Sequence, residues 1–155
     1  MPAEKIIIFR ISEQVFGMNI ESVSAIEAIL PIREIPNAPI NMEGVIQLRG
    51  TVIPVYNVRK KFRLDRKDCE STGQLIITRC EGESFAFVVD SVDEIKEVQS
   101  ELFFQAPNVV QTEETSYIDG IVNVNNQLVI CLDAKRLMSD SEKESLQSMI
   151  DYVTM

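Results

Sequence analysis

Residues 44–62, GVIQLRGTVIPVYNVRKKF, and residues 120–138, GIVNVNNQLVICLDAKRLM, align without a gap. Gly44 meets Gly120, Val45 meets Ile121, Leu48 meets Val124, Val52 meets Leu128 and Asn57 meets Asp133. The duplication continues upstream: residues 6–26, IIIFRISEQVFGMNIESVSAI, align gaplessly with residues 75–95, LIITRCEGESFAFVVDSVDEI. Here Ile7 meets Ile76, Phe16 meets Phe85, Ile20 meets Val89 and Val23 meets Val92. The offset is 69 residues in the earlier block and 76 in the later one. The second copy therefore has the longer connection between blocks, 25 residues from Ile95 to Gly120 against 18 from Ile26 to Gly44. A pattern written twice specifies two related units, each about the size of a small barrel.

Both copies give the same local reading. Ile7, Phe9 and Ile11, then Phe16, Met18 and Ile20, alternate with a period that suits half-buried strands. Polar turns join the strands, Ser12-Glu13-Gln14 in one copy and Glu81-Gly82-Glu83 in the other. In the later block, Gly50 and Asn126 fall at one register, where a hairpin turn needs positive φ. Asn57 and Asp133 then cap short helical turns. Ser139-x-x-Glu142 reads as a capping box, followed by Leu146, Met149, Ile150 and Val153 on one helical face. Strands without alternating helices give an all-β, two-lobed fold, with lobes at approximately 5–68 and 74–138 and a C-terminal helix at approximately 140–153.

Composition excludes several functions. The 155 residues carry a net charge of −9, which argues against a nucleic-acid groove. The basic cluster Arg59, Lys60, Lys61 and Arg63 reads as a solvated helix face. No apolar run is long enough to span a membrane, and the N-terminal run is too short for a signal peptide, so a cytoplasmic location without direct membrane contact is expected. Three cysteines, Cys69, Cys80 and Cys131, stand at wide spacing that suits neither a disulfide framework nor a zinc site. Histidine, the usual general base and metal ligand, is absent. No catalytic or phosphate-binding motif occurs. The expectation is no enzyme, no cofactor and no metal.

Some residues exceed what a barrel needs. Arg49 interrupts an apolar stretch at a hairpin tip, either paired to an acidic neighbour or poised for a partner. Val23 and Val92, at related places in the two copies, are core residues or apolar anchors for a groove between lobes. Phe103 and Phe104 are adjacent, so in extended chain they point opposite ways.

These features resemble the CheW family of chemotaxis coupling proteins. The resemblance rests on VFGMNIESVSAI (15–26), IPNAPINMEGVIQLRGTVIPVYNVRKKF (35–62), FVVDSVDEI (87–95) and YIDGIVNVNNQLVICLDAKRLM (117–138). It implies two five-stranded SH3/OB-like β-barrels packed side by side and a non-enzymatic adaptor. The implied partners are the regulatory domain of the histidine kinase CheA and the cytoplasmic hairpin tip of chemoreceptors, in arrays beneath the inner membrane. By the same resemblance, Val23, Ala25, Phe104 and Val109 belong to kinase contacts, and Arg49, Val92 and Ile95 to the receptor contact. The family commonly has an acid where this chain has Ala25, asparagine at Gln47, aspartate at Asn57 and glycine at Ser91. In isolation a monomer or weak oligomer is expected, because array interfaces gain strength from multivalency. Alternatives are an accessory ring component, a coupler for a pathway other than motility, and an OB-like module binding nucleic acid.

Overall fold

The computed structural model describes residues 3–38, 41–64, 73–80, 82–99, 102–104, 117–138, 142–144 and 148. The first half contributes β1 (Ala3–Ile11), β2 (Gln14–Asn19), β3 (Val23–Ala28), β4 (Met42–Leu48), β5 (Thr51–Tyr56) and the short helix α1 (Val58–Lys61). The second contributes β6 (Gln74–Cys80), β7 (Glu83–Val89), β8 (Ser91–Gln99), β9 (Phe103–Phe104), β10 (Ile118–Val124), β11 (Gln127–Leu132) and α2 (Ala134–Leu137). Hairpins turn through consecutive positive-φ residues: Ser12 and Glu13, Arg49 and Gly50, Asn125 and Asn126. That geometry matches the twist of the strands it joins. Asn57 and Asp133 cap the two helices as expected, their side chains accepting from the amides of Lys60 and Lys135.

The strands form two antiparallel-rich sheets, ordered β8-β1-β2-β11-β10-β9 and β3-β6-β7-β5-β4. Replacing each strand by its repeat partner turns the core of one order into the other. The sequence boundaries at 5–68 and 74–138 are therefore those of the repeats, not of the sheets. Each sheet takes its central hairpin from the opposite half of the chain, and the join is a parallel pair, β11 with β2 and β5 with β7. The chain crosses between sheets twice, through a 3-10 turn at Ile20–Ser22 and through Asp90 alone.

Burial follows from this exchange. Ile7, Phe9, Ile11, Phe16 and Met18 meet Ile76, Phe85, Phe87 and Val89 in a core shared by both sheets. The intervening residues fill a separate interior in each sheet: Ile6, Ile8 and Val15 in one, Leu75, Ile77 and Ala86 in the other. The centre of β1 is thus buried on both faces, not half-buried as its alternation suggests. The unbroken run Ile6-Ile7-Ile8-Phe9 is what a doubly covered strand requires.

The helices seal the seam. Phe62, just after α1, stacks on Tyr117 at 4.9 Å and packs on Phe16 at 5.4 Å between ring centroids. Arg59 on α1 is buried, which overturns the reading of this helix as wholly solvated. Lys61 is also engaged, donating to Glu142 at 2.9 Å. Glu142 accepts from Tyr56 and Asn41 as well, so it pins the C-terminal segment to the second sheet. Residues 142–144 and 148 are helical, whereas Ser139, Leu146, Met149, Ile150 and Val153 lie outside the described residues.

Candidate partner-binding surfaces

The surfaces follow from the strands at the ends of the two sheets. β8 and β9 are the first and last strands of the six-stranded sheet, and β3 begins the other. An end strand carries unpaired backbone groups along one side and is the natural place for a partner to dock.

On β8, Val92 is half-buried against the shared core, while Ile95 is 55% exposed. Ile95 pairs in register with Ile7, whose side chain lies in the shared core, so Ile95 continues that apolar surface into solvent. A register shift between Ile8 and Phe9 lets Val92 and Ile95 share the face. Their repeat counterparts, Val23 and Ile26 on β3, flank the same core from the second sheet. The choice between core and anchor resolves to a boundary position for both valines.

Ala25 packs toward the interior of the second sheet, and Ser24 beside it donates its hydroxyl to the Ile77 carbonyl at 3.1 Å. Arg49, at the β4–β5 turn with φ of 50°, reaches Glu27 on β3 at 3.2 Å, while 75% of its side chain stays exposed. It is thus both paired and available. Glu27 follows Ala25 by two residues and so shares its face of the strand. The pairing also joins opposite ends of the sheet order, since β3 and the β4–β5 turn meet only if that sheet curls. Arg49 therefore reaches the Ala25 and Glu27 face of β3 on the second sheet, whereas Val92 and Ile95 belong to the first.

On β9, Phe103 turns inward against the first sheet's interior and Phe104 is 56% exposed. Phe104, Ile121 and Ile130 form one cross-strand row, with Leu128 on the same face and 63% exposed. Sequence alone missed Leu128, because it opens an unbroken apolar run, 128–132, in which nothing distinguishes an exposed position from a buried one. Its repeat counterpart Val52 packs on the shared core, so the duplication pointed to burial as well and the copies diverge there. Val109 lies outside the described residues.

Among the described residues, no three His, Cys, Asp or Glu side chains converge as metal ligands, and no helix is long and apolar enough to cross a membrane.

Two sheets with exchanged hairpins, one of them carrying exposed apolar residues on both its end strands, define a binding module. The CheW-like domain matches residues 5–142, so the chain belongs to the CheW-like family. The chemotaxis protein CheW of Treponema pallidum is 28% identical over 149 residues, covering 94% of this chain and 88% of its own length. That of Bacillus subtilis is 28% identical over 147 residues, with 95% and 92% covered. The crystal structure of the scaffolding protein TtCheW from Thermoanaerobacter tengcongensis superposes with a TM-score of 0.82 at 25% identity, covering 92% of each chain. The all-β fold is that of this scaffold. Proteins of this family are adaptors, not enzymes.

Proposed function

We propose that the chain is a cytoplasmic chemotaxis adaptor that couples chemoreceptors to the histidine kinase CheA. The observation carrying this reading is the pair of exposed apolar residues, Ile95 and Phe104, on the two end strands of one sheet. A single rigid sheet then offers two separate contacts, and β3 on the other sheet offers a third. Val92 and Ile95 on the first sheet form the receptor contact together with Arg49 on the second, so that the helical hairpin tip spans both sheets. Val23 and Ala25 form one contact with the CheA regulatory domain, and Phe104 with Val109 forms the other. Each contact is small, so the isolated chain is a monomer or weak oligomer, and binding tightens when several contacts form together in an array. Neither nucleic acid nor the bilayer is a partner in this reading.

Calorimetric titration with the CheA regulatory domain of the same cell tests it. Val23→Asp or Phe104→Asp is expected to weaken binding at least tenfold, because each buries a charge at the contact. Ile95→Asp is expected to leave kinase binding within twofold and to weaken binding of a soluble receptor hairpin instead. Absence of binding between the unaltered chain and the kinase domain would sink the proposal.

A further inference from the structure

The x-V-R-x-x-F motif places an arginine where solvent was expected, and the fold buries it. Arg59 and Thr78 are the buried polar residues among those described. Arg59 projects from α1, which follows β5 of the second sheet. Its guanidinium meets the Asp90 carboxylate and the Ser12 hydroxyl. Ser12 belongs to the β1–β2 turn of the first sheet, and Asp90 is the single residue through which the chain passes from β7 to β8. The second Asp90 oxygen accepts from the Ser12 amide at 2.8 Å, and the Asp90 amide donates to the Arg10 carbonyl at 2.9 Å. Further along, the Val92 amide donates to the Gln74 side chain of β6 at 2.9 Å, and Asp93 pairs with Arg10 at 2.7 Å. Every step from residue 90 to 93 is thereby anchored, Ser91 by its strand pairing with Arg10 and by its hydroxyl, which donates to Asp93.

The other crossover has no such clamp. By the repeat offsets, Asp90 corresponds to Glu21 and Arg59 to Lys135, and both of those residues are exposed. The equivalent passage at Ile20–Ser22 is made by a 3-10 turn under an Asn19 cap. The same architecture is therefore built once without a buried ion pair, and the pair must serve something particular to the β8 side. What lies just beyond it is the boundary face of Val92 and Ile95.

We infer that Arg59 and Asp90 are a positioning pair, which holds the start of β8 so that Val92 and Ile95 are presented to the receptor hairpin in one fixed pose. Because the guanidinium is carried by the second sheet and the carboxylate leads into the first, displacement of β8 is transmitted to α1 and β5. A preformed pose saves the partner the entropy of ordering the strand. The inference rests on the receptor reading of Val92 and Ile95.

The test uses the full chain carrying Arg59→Met with Asp90→Asn, which removes both charges and leaves no lone buried ion. Three quantities are measured: affinity for a soluble chemoreceptor hairpin, affinity for the CheA regulatory domain, and amide hydrogen exchange at residues 91–95. Lys135→Met serves as control at the equivalent place. The expected result is receptor affinity at least tenfold weaker, kinase affinity within twofold, and exchange at 91–95 at least tenfold faster, none of which the control shows. Equal loss of both affinities, or unchanged exchange at 91–95, overturns the inference. If the unaltered chain binds no receptor hairpin, the receptor reading fails separately. Exchange then decides whether the pair positions β8: acceleration confined to 91–95 supports it, and its absence overturns it. Should the double variant fold poorly, Arg59→Lys keeps the charge without the fork, and the same selective loss of receptor affinity is expected at smaller size.

Discussion

Two buried ionisable side chains make the stability of this protein fall in alkali. Cys131 sits in the first sheet's interior, where burial pushes its thiol up to about 12, with the charges of Asp119 and Glu4 adding to the shift. Burial also raises the Tyr56 phenol well above 10, assisted by its hydrogen bond to Glu142. In the unfolded chain the thiol ionises near 9.0. Above that pH the unfolded chain has released a proton that the folded chain still holds, so stability declines toward pH 12 and does not change around neutrality through these groups. Unfolding free energies from urea titrations at pH 8 and pH 10.5 are expected to differ by about 1–2 kcal/mol more in the unaltered chain than in Cys131→Val. Other residues were readable because their partners are local: Gly50 and Asn126 adopt positive φ, and Asn57 and Asp133 cap as their spacing implies. Arg59 was misread because its partner is 31 residues away, and the bond from Tyr56 to Glu142, across 86 residues, went unforeseen for the same reason. A burial that depends on distant chain has no local signature.

At the scale of elements, the unequal connections between blocks turn out to perform one task. Arg33 bridges Val45 on β4, and Phe104 pairs with Ile121 on β10, the repeat counterpart of Val45. β9 is therefore the second-half version of the strand that passes beside Gly44. The same outward position carries a charge in one sheet and a phenyl ring in the other. Both approaches depend on a glycine: a Cβ on Gly44 would stand 2.1 Å from the Arg33 carbonyl oxygen, and one on Gly120 3.0 Å from that of Phe104. Gly44 also has a φ of +152°, which disfavours a side chain. Gly44→Ala is expected to destabilise by about 2–4 kcal/mol through the two lost bridge hydrogen bonds and backbone strain. Gly120→Ala should cost about 1 kcal/mol or less, since a small shift of β9 relieves it. Thermal melts of the two variants check the order. The duplication itself made the strands legible. Which strands lie side by side was not, because β1 carries core residues on both faces and alternation alone cannot say what covers each.

At the scale of the molecule, the exchanged hairpins make the halves mutually dependent. The first half alone lacks β6 and β7, which separate β3 from β5, and the second lacks β1 and β2, which separate β8 from β11. Chains cut within the 65–72 connection are expected to be largely unstructured apart and to regain strand circular dichroism when mixed. A native-like spectrum from either fragment alone would contradict this account of the core. The pairing order also bears on synthesis. β2 ends at Asn19, yet its parallel neighbour β11 ends at Leu132. At about 5–20 residues per second, translation leaves the β1–β2 hairpin with an uncovered edge for on the order of ten seconds. During that interval a nascent chain displays the strands that will later lie deepest. Within this chain, the first hairpin off the ribosome is the last to be covered.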